Sequence, residues 1–144
     1  VSVEFRRAEP PAPPEKLAEL ADRVGVALPD DYIEFLSQHD GGRMGNNNET
    51  VKMVFGVGEV PDYASIWDAL DTYDGRVPTW LIPAADDSFG NLFCLSIREQ
   101  DVGSVWFWDH EQEADEDEPA TEDNLTYKAK SWTEFLNQLR PSEP

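Results

Sequence analysis

The stretch from Thr79 to Asp109 constrains the fold more than any other. TWLIPAADD, SFGN, LFCLSI, REQDVG and SVWFWD read in turn as strand, turn, strand, turn, strand. In the last strand Val105 and Phe107 point one way and Trp106 and Trp108 the other, so both faces are apolar. Short turns between such strands require antiparallel pairing, and the sheet needs helices on one face and further chain or a partner on the other.

The flanking segments supply helices. Pro14 suits a first turn, and Leu17, Leu20, Ala21 and Val24 share one helical face that Gly25 terminates. LPDDYIEFLSQHDGG predicts a second helix opened by Pro29, with Asp30 and Asp31 in its first turn, a stripe of Tyr32, Phe35 and Leu36, and His39 near its C-terminus. DYASIWDALDTY predicts a third, burying Tyr63, Ile66, Trp67 and Leu70. SWTEFLNQL predicts a last one with the capping box Ser131 and Glu134 and an inward stripe of Trp132, Phe135, Leu136 and Leu139. Val51 to Val57 adds a strand, and LTYKAK an edge strand guarded by Lys128 and Lys130, whereas Arg43 to Glu49 reads as a polar loop. The expected fold class is α+β, a single domain with a mainly antiparallel sheet packed with N-terminal and C-terminal helices. Residues 1–13, which hold three of the four prolines of EPPAPPE (Glu9 to Glu15), are expected to be a flexible lead-in, residues 14–140 the domain and residues 141–144 a tail.

Charge narrows the functions. Thirty acidic against eleven basic residues leave a formal net charge of -19, which repels nucleic acid and anionic lipid and attracts cationic proteins. Eight carboxylates and no basic residue fall between Glu111 and Asp123, a segment expected to be a mobile, solvated loop. No apolar run approaches the ~18 residues of a membrane span, and the N-terminus lacks a signal-peptide core, so a soluble cytoplasmic protein is expected. The lone cysteine, Cys94, sits in the apolar run NLFCLSI and reads as a core residue.

Enzymatic motifs are weak. Asp86, Asp87, Asp109, His110 and Glu111 end two predicted strands and invite comparison with a divalent-metal hydrolase, in which Asp87, Asp109 and His110 would act. Against this stand two histidines in all, the absence of H-x-x-x-H or H-E-x-x-H, and the alternation of sides along a strand. There is no G-x-S-x-G elbow, and neither Gly56 to Gly58 nor Asp40 to Gly42 has the spacing or the lysine of a phosphate loop. No cofactor is expected.

The same segments resemble the SUKH superfamily, in the branch that holds the fungal cell-wall assembly regulator and many bacterial immunity proteins. The resemblance is carried by Leu28, Pro29, Tyr32, Phe35, Leu36, Gly41 and Gly42, and by Ile82, Pro83, Ala85, Asp87, Gly90, Asn91, Cys94 and Leu95. It continues through Trp108, Asp109, His110 and Glu111 to Ser131, Trp132, Phe135 and Leu136. Asp40 stands where the family usually has Asn, a change expected to alter only the helix end. The resemblance implies an α+β fold, no catalysis, and action by binding. The leading expectation is an immunity protein that neutralises a cognate basic toxin, of nuclease type, in the cytoplasm. A regulatory scaffold is the alternative. The expected contact residues are Asp109, His110, Glu111, Glu113, Asp115, Glu116, Asp117 and Glu118, with Trp106 and Trp108 as anchors and Asp86, Asp87 and Asn91 in second rank.

Overall fold

A computed structural model describes residues 4–142. Seven strands, β1 (Phe5–Ala8), β2 (Gly42–Met44), β3 (Val51–Val54), β4 (Leu81–Asp87), β5 (Leu92–Ser96), β6 (Val105–Trp108) and β7 (Leu125–Ala129), form one sheet in sequence order. Every neighbouring pair is antiparallel. Helices α1 (Pro14–Val24) and α2 (Asp30–Gln38) follow β1, α3 (Ile66–Thr72) precedes β4, and α4 (Trp132–Gln138) closes the chain. This is the α+β class expected from the sequence. Among the described residues no helix is long and apolar enough to cross a membrane.

The three strands at the centre behave as their pattern requires. Phe93 and Phe107 are register partners on the face covered by α4, where Phe93 meets Phe135 with ring centroids 5.3 Å apart. Leu92 pairs with Trp108 on the opposite face, where Tyr73, just after α3, meets Trp108 edge-on at 5.5 Å. Helical layers therefore contact both faces. On the α4 side Tyr32 and Phe35 of α2 pack edge-on against Trp132, each at 5.5 Å. Ser131 caps α4 as expected, its hydroxyl accepting from the Glu134 N–H at 3.1 Å.

Three expectations are corrected. The lead-in expected to be flexible contributes β1, an edge strand on β2, and its proline segment is tied down where the Ala12 N–H donates to Leu36 O and the Asp40 N–H to Pro10 O. Residues 1–3 lie outside the described residues. Strand β2 arises within the supposed polar loop, because a three-residue strand is too short to show alternation. The third helix begins at Ile66 under Ser65, while Asp62–Ala64 forms a 3-10 turn that leaves Tyr63 67% exposed.

Asp40 also does more than end a helix. Its carboxylate is buried and accepts from the backbone N–H groups of Val57 and Gly58, each at 2.7 Å, joining the α2 terminus to the chain beyond β3. The approach is tight: Gly41 takes φ 77°, and a Cβ there would strike Val54 O, while one on Gly56 would strike Asp40 O. Replacing Asp40 with Ala strands two donors, the buried Val57 N–H and the half-buried Gly58 N–H. Urea unfolding of Asp40→Ala should show a loss of about 2 to 4 kcal/mol, and Asp40→Asn, which keeps one acceptor, roughly half of it.

Candidate functional site

The β4–β5 turn and the end of β6 meet through hydrogen bonds rather than through a shared ligand. One oxygen of the buried Asp87 carboxylate accepts from the N–H groups of Phe89 (2.8 Å) and Asn91 (2.9 Å), and the other accepts from Asn91 Nδ2 (2.9 Å). Asn91 Oδ1 in turn accepts from the His110 N–H at 3.0 Å. Gly90, at φ 89°, lies so close to the His110 ring that an added Cβ would sit 3.1 Å from it. Asp109 accepts from the Glu111 N–H through its side chain at 3.0 Å, and its carbonyl accepts from Asn124 Nδ2 at 2.9 Å. Asp87, Asn91, Asp109 and His110 are thus brought together as the lock between two turns. Among the described residues no group of three or more His, Cys, Asp or Glu side chains is placed to hold a metal ion.

Asp86 faces a different neighbour, accepting from the Met53 N–H at 3.2 Å. Burial pushes its carboxyl up to about 6, against the attraction of Lys52 and the Met53 hydrogen bond, with Asp87 adding to the rise. Cys94 is fully buried and burial pushes its thiol up, as a core cysteine requires.

The acidic segment lies beside an aromatic face. Arg76, just beyond α3, stacks its guanidinium 4.7 Å from the Tyr73 ring and 5.8 Å from Trp108. The same guanidinium donates two hydrogen bonds to Glu113, at 3.0 and 2.9 Å. Hydrogen bonding from Arg76 holds the Glu113 carboxyl below its ordinary range. Farther along the face Trp80, Trp106 and Tyr127 form an edge-to-face row with centroids 5.4 Å apart, and Arg98 covers Trp80 at 3.5 Å while pairing with Asp101. Trp80 Nε1 donates to Glu122 at 3.2 Å.

The segment is therefore pinned at Glu113, Glu122 and Asn124, which corrects the expectation of a mobile loop. The groups that hold its two pinned glutamates, Arg76 and Trp80, are remote in sequence. Between the pins Asp115, Glu116, Asp117 and Glu118 are all exposed on a turn closed by the Glu118 N–H donating to Asp115 O at 2.9 Å. Glu111 is exposed at the loop's start, whereas Asp109 and His110 are half-buried. Trp106 keeps part of its ring at the surface, but Trp108 is wholly buried and supports the face from beneath. Sequence reasoning missed Arg76, Trp80, Arg98 and Tyr127. Tyr127 was detectable in principle, since it is the cross-strand partner of Trp106 once the β6–β7 register is known.

A family model for the SMI1 / KNR4 family (SUKH-1) matches residues 11–138. The chain is 31% identical to the SPbeta prophage-derived uncharacterized protein YokK of Bacillus subtilis (strain 168), over 67% of this chain and 62% of that protein. It is 34% identical to the uncharacterized protein YnaB of the same organism, over 46% of this chain and 48% of that one. It thus spans 62% and 48% of the length of these curated relatives. A crystal structure of a protein from Pseudomonas syringae pv. tomato shares the fold with a TM-score of 0.55 at 18% identity, covering 83% of this chain and 78% of that one.

Two outcomes are expected. Between about pH 4 and 6 the folded state keeps the Asp86 proton that the unfolded chain has released, so the penalty grows as pH rises through that window. Asp86→Asn should therefore raise stability by about 1 to 2 kcal/mol at pH 7.5, with the gain gone near pH 4, in urea melts at the two values. Arg76→Ala should leave the melting temperature within a few degrees of the parent while a glutamate-specific protease cuts the 113–122 segment several-fold faster.

Proposed function

The chain belongs to the SMI1 / KNR4 family (SUKH-1), and from that premise we propose that it acts by binding, as an immunity protein that neutralises a cognate basic toxin in the cytoplasm of the cell that makes both. The observation that carries this reading is the exposed carboxylate turn Asp115 to Glu118, held beside a row of aromatic rings by Arg76 and Trp80. Four carboxylates on a pinned turn present closely spaced negative charge, as a phosphodiester backbone does, and suit the basic groove of a nuclease. A pinned turn also loses less conformational freedom on binding than a free loop would.

Two physical roles divide the surface. The net charge of -19 accelerates encounter with a cationic partner, most strongly at low salt. Tyr127, 53% exposed, and the accessible part of Trp106 bury apolar area on contact and set the lifetime of the complex. The prophage origin of one relative, YokK of Bacillus subtilis, is in keeping with a role in competition between genetic elements or cells.

The test begins with affinity capture from the native host at low and high salt, with the partner identified by mass spectrometry. A single basic protein with a toxin domain, retained at high salt, is the expected result, and several salt-sensitive partners would favour a regulatory scaffold instead. With that partner in hand, neutralising Asp115, Glu116, Asp117 and Glu118 to their amides should slow association about tenfold or more at low salt. Tyr127→Ala should act chiefly on dissociation. An association rate indifferent to both salt and the four amides would remove the acidic turn from the interface.

A further inference from the structure

A second charged feature has the opposite sign. Among the described residues six of the eleven basic side chains stand in ion pairs: Lys16, Arg23, Arg76, Arg98, Lys128 and Lys130. Three of the others, Arg6, Arg43 and Lys52, line one concavity bounded by β1, β2, β3 and the β4–β5 turn. Among the described residues none of the three lies within ion-pair distance of a carboxylate, and no Asp or Glu lines the concavity, although the chain carries thirty. The carboxylate that Lys52 influences is Asp86, whose carboxyl it pulls down.

The backbone concentrates this charge at a cost. Arg43 sits directly across the β1–β2 ladder from Arg7, a like-charge pairing that disfavours the strand contact. A break in register between Phe5 and Arg7 places Arg6 at a bulge, the device by which an edge strand re-aims a side chain. Hydroxyl groups of Thr50 and Ser88 also line the site, and at its rim stands Phe89, 68% exposed on the turn that Asp87 holds rigid. Two guanidinium groups and an ammonium, with hydroxyl donors and no carboxylate among the described lining residues, match the charge and donor chemistry of a tetrahedral oxyanion. The open face of Phe89 offers a ring on which a planar group could stack.

We propose that this concavity is a binding site for a phosphate group, carried either by free phosphate or by a nucleoside monophosphate. The site is separate from the acidic turn and does not depend on the immunity reading.

The experiment is a melting and calorimetric titration of the intact chain with inorganic phosphate, against chloride at matched ionic strength, followed by adenosine monophosphate. Phosphate should raise the melting temperature by several degrees in a saturable manner with one site per chain, and chloride should not. Arg6→Gln, on an exposed edge residue, and the Arg43→Gln/Lys52→Gln pair should each weaken binding at least tenfold, while Lys130→Gln retains it. Circular dichroism of each variant in chloride separates lost binding from lost folding. Tighter binding of the nucleotide that falls to the phosphate level in Phe89→Ala assigns the nucleotide, and equal binding assigns free phosphate. A phosphate response no larger than that of chloride, or one that persists in both Arg6→Gln and the double variant, overturns the proposal.

Discussion

Two-sided burial of the central ladder is the constraint on which the rest of the molecule depends. Every residue of β5 is buried, with Phe93 toward α4 and Leu92 toward the Tyr73 side. A strand in that position leaves no face for water, so the chain must bring helical layers to both sides. The strands pair in sequence order: short turns join β2 to β3, β4 to β5 and β5 to β6, while the longer links carry α1 and α2, α3 and the acidic segment and still return the chain to the neighbouring position. Aromatic residues anchor both layers: Trp132, Phe135 and Tyr32 form one cluster on the α4 side, and Tyr73 seats on Trp108 on the other.

The same architecture sorts the charges. A chain with thirty carboxylates has few cations to spare, and among the described residues six of the eleven stand in ion pairs, three of them between residues distant in sequence. Arg76 is the most consequential, because it joins Tyr73 and Trp108 to Glu113 and so converts part of a solvated acidic run into a fixed turn. At the opposite edge the small β1–β2–β3 group gathers Arg6, Arg43 and Lys52 around a concavity that, among the described residues, no carboxylate lines. The molecule is therefore polar in its charge arrangement rather than uniformly negative.

Several elements were legible in the sequence because each rests on local chemistry. The stripe of α1, the capping box of α4 and the alternation of β6 need no knowledge of distant residues. The segment resemblance pointed to the family that the whole-chain match supports, and to its fold. Strands β1 and β2 were not legible, since FRRA and GRM carry no apolar alternation and are strands only because β3 offers them an edge. The role of Asp40 was hidden for a similar reason: its partners, Val57 and Gly58, lie beyond the loop and strand that follow it.

The sequence by itself determined the class of the fold, the apolarity of both sheet faces and the acidity of the segment after β6, for all three are sums over neighbouring residues. Tertiary structure alone decided which carboxylates are free. Glu113 and Asp87 are occupied by groups far along the chain or by the turn they enclose, whereas Asp115 to Glu118 remain open. It also decided that Trp108 is a support and Trp106 part of a surface, a distinction set by what covers each ring and not by their alternation in the strand. Pairing between distant groups depends on chain closure, and no local pattern records it.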